Sequence, residues 1–374
     1  MYGIYIHIPF CLKKCKYCDF VSFENRIDKD RYIDALIDEM KSYKGISCDT
    51  VFIGGGTPTS LTAKQLKKLL QAIKENFSLA ENAEFTVEAN PKTLDKEKLT
   101  ILKENGVNRI SVGVQSFSDA ELIKIGRVHT AEDAKNTLQA IKESGFENFS
   151  LDLMSALPSQ SVESFKKTLE TAVMQKPKHI SCYSLILEEG TPLNDEFERG
   201  ELLLPDEETE RQMYEFACEF LEKNGYKQYE ISNFAIEGYE SGHNIKYWKC
   251  DEYIGLGLAA HSYYCGKRYS NTTDMNRYIS GNYRSDDMQE LTLADKVEEF
   301  SIMGLRMISG INKKEFLRRF GMDIYSVYKK EIEKFINGGF LVDYGENIRL
   351  TRAGISVSNS VMCEFSVCNL RKNG

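Results

Sequence analysis

Six short apolar runs, rich in β-branched residues, alternate with helical patterns through the first half of this 374-residue chain. The runs lie at 3–10, 50–53, 84–89, 109–114, 149–154 and 180–187. Between them, 30–44 carries an apolar stripe of Tyr32, Ile33, Leu36, Ile37 and Met40, and 63–76 carries Leu66, Leu69, Leu70 and Ile73. Thr62 is placed to cap the second of these helices. A helix over 95–105 meets Gly106, where a left-handed stop favours glycine. Further helical segments occupy 131–144 and 161–175. Strand and helix in strict alternation predict parallel strands joined by right-handed crossovers. Six repeats predict an α/β fold, a partial (β/α)6 barrel, whose chemistry belongs at the C-terminal ends of its strands.

Beyond residue 187 the pattern loosens. A helix over 207–223 precedes a strand-like 228–231 and a polar segment containing His243. Helices are predicted again at 294–307, 313–320 and 324–337, followed by 340–342, a turn at 345–347, and 348–350. Helix, helix and hairpin in that order predict a small helical, winged-helix-like C-terminal domain. The chain divides into a barrel over 1–235, a connecting segment over 236–290 and a C-terminal domain over 291–374. At roughly 150 residues per domain, the length agrees with two or three units.

A net charge of −8 argues against nucleic acid as a partner. The segment 311–352 holds nine Lys/Arg against six Asp/Glu, too mild a basic face for a recognition helix. No apolar stretch approaches the ~18 residues of a membrane span, and the N-terminus lacks the basic region of a secretory signal. A cytoplasmic protein with reduced thiols is expected.

Chemistry-bearing residues gather at the predicted rim. Cys11, Cys15 and Cys18 follow the first strand with spacing C-x3-C-x2-C. Gly54-Gly55-Gly56-Thr57 follows the second, Glu88 ends the third, Gln115 ends the fourth and Asp152 lies in the fifth. Three thiolates suit a [4Fe–4S] cube with one iron left open. Structural zinc wants four closed ligands, and here no paired fourth cysteine is present. The glycine run fits neither G-x-G-x-x-G nor a phosphate loop, but backbone without side chains lets a ligand approach closely. The other seven cysteines share no tight spacing and are read as ordinary thiols.

C-x3-C-x2-C after the first strand of a βα series, with Tyr17 supplying an aromatic before the third cysteine, resembles the radical S-adenosylmethionine superfamily. In that family the amino and carboxylate groups of S-adenosylmethionine chelate the open iron, and electron transfer to the sulfonium yields an adenosyl radical. The segments Glu88-Ala89-Asn90-Pro91, Gly113-Val114-Gln115-Ser116 and Gly126-Arg127-Val128-His129 resemble the branch containing oxygen-independent coproporphyrinogen III oxidases and their relatives. The likeness covers nearly the whole chain, including its C-terminal domain. It implies that Tyr5, Tyr17, Gly55, Gly56, Thr57, Glu88, Gln115, Arg127 and Asp152 line the S-adenosylmethionine site.

Two features separate the relatives within that branch. The oxidases carry a further cysteine two residues after the third, where this chain has Phe20. The chain also carries His243-Asn244-Ile245-Lys246-Tyr247-Trp248, whose H-N-x-x-Y-W pattern resembles the haem chaperones. The resemblance implies a protein that binds haem and delivers it to acceptors such as respiratory haem proteins, without coproporphyrinogen oxidation. An oxidoreductase acting on coproporphyrinogen III or another substrate is the alternative, and a nucleic-acid-binding module a third. An imidazole is a natural axial ligand for haem iron, so His243 is the first candidate contact, with Tyr247 and Trp248 to pack on the porphyrin. His261 and Cys250 are rival ligands, while His129 and His179 read as ordinary histidines. Neither nucleic acid nor stable membrane insertion is expected. A homodimer is the assembly considered, without residue-level support.

Overall fold

Runs that are apolar on both faces become strands only where both faces are covered. All seven residues of Arg109–Gln115 are buried, and Ile4, Ile6, Ile8, Val51, Ile53, Leu151 and Leu153 have no exposed surface. The computed structural model describes residues 1–24 and 28–366. In it β1 (Tyr2–Ile8), β2 (Ser47–Gly55), β3 (Ser78–Ala89), β4 (Arg109–Gln115), β5 (Phe149–Ser155) and β6 (His179–Ser184) lie side by side in chain order, all parallel. The crossovers run through α1 (Lys29–Lys41), α2 (Ala63–Asn76), α3 (Lys96–Glu104), α4 (Ala131–Glu143) and α5 (Val162–Met174). This is the predicted partial barrel. Its helices begin where side chains accept from backbone N–H groups. Thr62 and Gln65 form a reciprocal capping box at α2, and Thr130 with Asp133 does the same at α4.

The sheet is wider than six strands. After α6 (Glu207–Lys223), β7 (Lys227–Glu230) and β8 (Asn233–Ala235) add antiparallel strands beyond β6. The stretch read as a connecting segment is built into the barrel's other edge. It forms α7 (Gly242–Trp248), then β9 (Tyr253–Leu256) parallel to β1, then the antiparallel β10 (His261–Tyr264), β11 (Lys267–Ser270) and β12 (Gln289–Glu290). Strands of two to four residues carry too few alternations to stand out in sequence.

The C-terminal unit comprises α8 (Leu293–Arg306), β13 (Ile311–Asn312), α9 (Lys313–Phe320), α10 (Ile324–Asn337), β14 (Leu341–Tyr344) and β15 (Asn347–Leu350). The three strands make a small antiparallel sheet, and a separate apolar core forms around Val297, Phe300, Phe316, Ile332 and Phe365. It docks on the barrel through backbone bonds, from Ile231 N–H to the Arg306 carbonyl (3.1 Å) and from Ile308 N–H to the Tyr229 carbonyl (3.0 Å). Among the described residues no helix is long and apolar enough to cross a membrane.

Candidate cofactor site and the adjoining cavity

The cysteine loop is pinned at both ends. Phe10–Cys11 pairs with Phe23–Glu24 in a two-residue ladder. Within the loop, the Val21 carbonyl meets His7 Nε2 (2.9 Å) and Lys16 N–H donates to the Ile125 carbonyl (3.0 Å). Tyr17 anchors the loop by packing into a small apolar cluster with Ile125, Met154 and Leu185. So tethered, Cys11, Cys15 and Cys18 are half-buried and line one cavity at the C-terminal ends of the strands. Among the described residues no three His, Cys, Asp or Glu side chains converge as a single metal ion requires. Burial pushes the Cys11 thiol up, and pushes Cys18 up to about 11. Metal ligation at these positions therefore releases protons.

Opposite the thiols, the strand ends supply the donors and acceptors of a small polar ligand. Gly55 has φ +104°, and a Cβ there would collide with the His7 ring. A Cβ on Gly56 would lie 2.9 Å from the Ile8 carbonyl oxygen. The β2 rim is thus bare backbone by necessity. Glu88 accepts from Gly55 N–H (3.2 Å), and Asp152 accepts from the Ser111 hydroxyl (3.2 Å). Both residues line the cavity. Burial, with Asp152 close by, raises Glu88 to about 8, and burial also raises Asp152. A cationic group entering here would be met by two acids held ready to ionise. Gln115 sits at φ +67° beside a register shift at the end of β4, where its Oε1 accepts from Tyr183 (3.1 Å). A left-handed glutamine at a cavity wall is strain of the kind that collects at ligand sites.

Arg127 closes the cavity from the loop before α4. Its guanidinium donates to Cys15 Sγ (3.4 Å), to Asn90 Oδ1 (2.6 Å) and to the Gly113 carbonyl, while its Nε is buried without a partner. Thr57 donates to Cys11 Sγ (3.7 Å) and accepts from Asn90 Nδ2 (2.7 Å). Sulfur-directed donors, an under-satisfied buried guanidinium, paired acids and bare glycine backbone fit a thiolate-held cluster with an amino-acid-bearing ligand on it. Of the residues predicted for the S-adenosylmethionine site, all but Tyr5 line this cavity. Tyr5 stands on the partition: it lines the neighbouring cavity, while Glu88 adds to the burial that raises its phenol. Sequence reasoning did not single out Asn90, Ser111 or Tyr183, which share the wall; Tyr183 sits near the C-terminal end of its strand, a position that could have flagged it.

The neighbouring cavity measures about 590 Å3, a typical size for an organic ligand. Its walls come from Asp19–Val21 of the cysteine loop, from Tyr247 and Trp248 of α7, and from Cys250, His261 and Met303. His243 is not among them. It is 1 % exposed behind the wall, with Nδ1 on the Thr50 hydroxyl (2.8 Å) and Nε2 on the Tyr247 hydroxyl (2.8 Å). Phe52 stacks on its ring at 5.3 Å, and burial pushes its pKa down to about 3. Sequence could not show this, because Thr50 and Phe52 lie on β2, nearly two hundred positions away. Trp248 is half-buried under the Arg306 guanidinium, 4.5 Å from its ring centre. His129 and His179 are buried in the core.

Barrel, rim thiols and bare glycine edge together define a radical S-adenosylmethionine protein. Residues 5–172 match the radical SAM superfamily and residues 291–357 the HemN C-terminal domain. The chain is similar to coproporphyrinogen III oxidase (HemN) from Escherichia coli, with TM-score 0.85 over 98 % of this chain and 90 % of that one. At 22 % identity that likeness shows the fold. In sequence it is 40 % identical to the haem chaperone HemW of Lactococcus lactis over 96 % of both chains. It is equally 40 % identical to the HemW of Bacillus subtilis, over 98 % of this chain and 99 % of that one. The chain belongs to the HemW family. Membership of the superfamily implies a [4Fe–4S] cluster and S-adenosylmethionine.

Proposed function

We propose that this protein is a cytoplasmic haem chaperone, which holds haem in the cavity beside the cysteine loop and passes it to haem-accepting proteins. The observation that carries the reading is the near-complete match to curated HemW proteins. The 590 Å3 aromatic-walled cavity gives the cargo a place. Tyr247 and Trp248 supply packing surface, and His243 holds Tyr247 in position from behind. Cys11, Cys15 and Cys18 hold the cluster. Glycines 55 and 56, Thr57, Gln115, Glu88, Asp152 and Arg127 receive S-adenosylmethionine, with the acids for its amino and ribose groups and Arg127 for its carboxylate. When bound, the cluster and its ligand supply one-electron chemistry. The residues of this chain orient the ligand and exclude water around it.

Haem titration should give a saturable Soret change at one haem per chain, and apomyoglobin added afterwards should take the haem up. The reconstituted protein should leave coproporphyrinogen III unchanged. Phe20, 61 % exposed, stands where the oxidases would place another thiol. Decarboxylation of that substrate would overturn the reading in favour of an oxidoreductase. Arg127→Ala should weaken S-adenosylmethionine binding by about tenfold or more, the loss of one charged hydrogen bond of about 1.5–3 kcal/mol. Equilibrium dialysis against the reconstituted protein measures it, and unchanged affinity would remove Arg127 from the site.

A further inference from the structure

The chain has five histidines, and the structure treats them unequally. Four are buried. His7 engages both ring nitrogens, with the Tyr5 hydroxyl (3.0 Å) and the Val21 carbonyl (2.9 Å). His243 engages both with Thr50 and Tyr247. His129 and His179 each use Nε2 on a partner within the fold, the Val114 carbonyl and the Tyr229 hydroxyl, and their Nδ1 atoms are sealed from solvent. His261 alone is exposed, and its ring makes no hydrogen bond among the described residues. It opens β10 and lines the cavity beside the cysteine loop.

We propose that His261 is the axial ligand to the iron of haem seated in this cavity, with Phe20 as an apolar wall against the porphyrin. This rests on the haem-chaperone reading. An iron ligand needs an imidazole nitrogen with a free lone pair and a backbone that holds the ring in place. The frame under His261 is rigid. A side chain on Gly255 would collide with the His261 carbonyl, so β9 and β10 pass at a distance only glycine permits. The Ser262 hydroxyl locks that crossing by accepting from Gly255 N–H (2.9 Å). Ala259 (φ +57°) and Cys250 (φ +50°), both on the cavity wall, hold left-handed backbone without being glycine. Cys250 is the rival donor, but burial pushes its thiol up to about 12, and a protonated thiol is a poor ligand. The cationic Arg268 on the same wall is spent on Glu299 (2.6 Å). Phe20 lines both this cavity and the cofactor cavity, so a porphyrin against it lies beside the cluster loop.

The test is ferric haem titration of full-length wild type, His261→Gly and Phe20→Ala, with and without millimolar imidazole. His261→Gly should shift the Soret band and weaken binding by about tenfold or more. Free imidazole should restore the wild-type spectrum by occupying the vacated position. Phe20→Ala should weaken binding while leaving the band position unchanged, because packing is lost and the ligand is not. Wild-type band and affinity retained in His261→Gly would overturn the ligand assignment while leaving haem binding intact. So would a loss that imidazole does not restore. Absence of saturable binding in the wild type would instead sink the chaperone reading itself.

Discussion

Cys15→Ala should take the anaerobically reconstituted protein from about four irons per chain to near zero, with loss of the visible cluster absorbance. Cys15 is central in the spacing and is the thiol that Arg127 reaches. With it removed, Cys11 and Cys18 offer two thiolates, too few to hold the cube. The fold should survive. The loop keeps its ladder at Phe10–Cys11 and Phe23–Glu24, its tether from His7 to Val21, and the Tyr17 anchor, none of which passes through the Cys15 side chain. Far-ultraviolet circular dichroism and the urea midpoint of the apoprotein should therefore change little, within about 1 kcal/mol. Cys265→Ala, at an exposed thiol remote from the cavity lining, is the control and should keep its iron. Iron retained in Cys15→Ala, or stable zinc with no iron in the wild type, would defeat the cluster assignment.

The contrast between these two cysteines shows what a sequence can and cannot display. Cys11, Cys15 and Cys18 were legible because their chemistry is set by local spacing on one loop. The six parallel strands were legible because burial on both faces writes itself as unbroken apolar runs, and α2 could be bounded to the residue because Thr62 announces its start. The edge strands β9 to β12 were not. Each is four residues or fewer, and Gly255, which permits the close passage of β9 and β10, and Gly257, which packs against His7 and Tyr32, read locally as loop. Helix α7 has seven residues, and its first N–H groups are satisfied by Glu84, a carboxylate from β3. Which histidine is free and which is sealed is a tertiary fact throughout. His243 carries the more suggestive motif, yet Thr50, Phe52 and Tyr247 consume it, whereas His261, read from sequence as a rival ligand, stays open.

His243→Ala should cost about 2–4 kcal/mol of stability at pH 7.5, through a cavity beneath Phe52 and two hydroxyls, on Thr50 and Tyr247, left without their partner. The loss should be pH-dependent in a direction that a purely apolar cavity would not give. Burial, with Lys246 and Arg109 adding to it, lowers the folded pKa of His243 to about 3, against 6.5 for the free side chain. Between those values the unfolded chain binds a proton that the folded one refuses, so stability falls as pH drops. The contribution of His243 is complete above pH 6.5 and is lost toward pH 3, by about 1.4 kcal/mol per pH unit. The gap between wild type and His243→Ala should therefore shrink by about 2 kcal/mol between pH 7.5 and pH 5. His7, His129 and His179 are lowered by the same burial, while Glu88 is raised and acts in the opposite sense, but all four are present in both proteins and cancel in the difference. Urea unfolding of both proteins at the two pH values measures it. A gap that stays constant would mean that His243 is not held neutral in the fold. If haem binding is also lost in this variant, added imidazole should not restore it, because what is missing is the wall that Tyr247 forms and not a ligand to the iron.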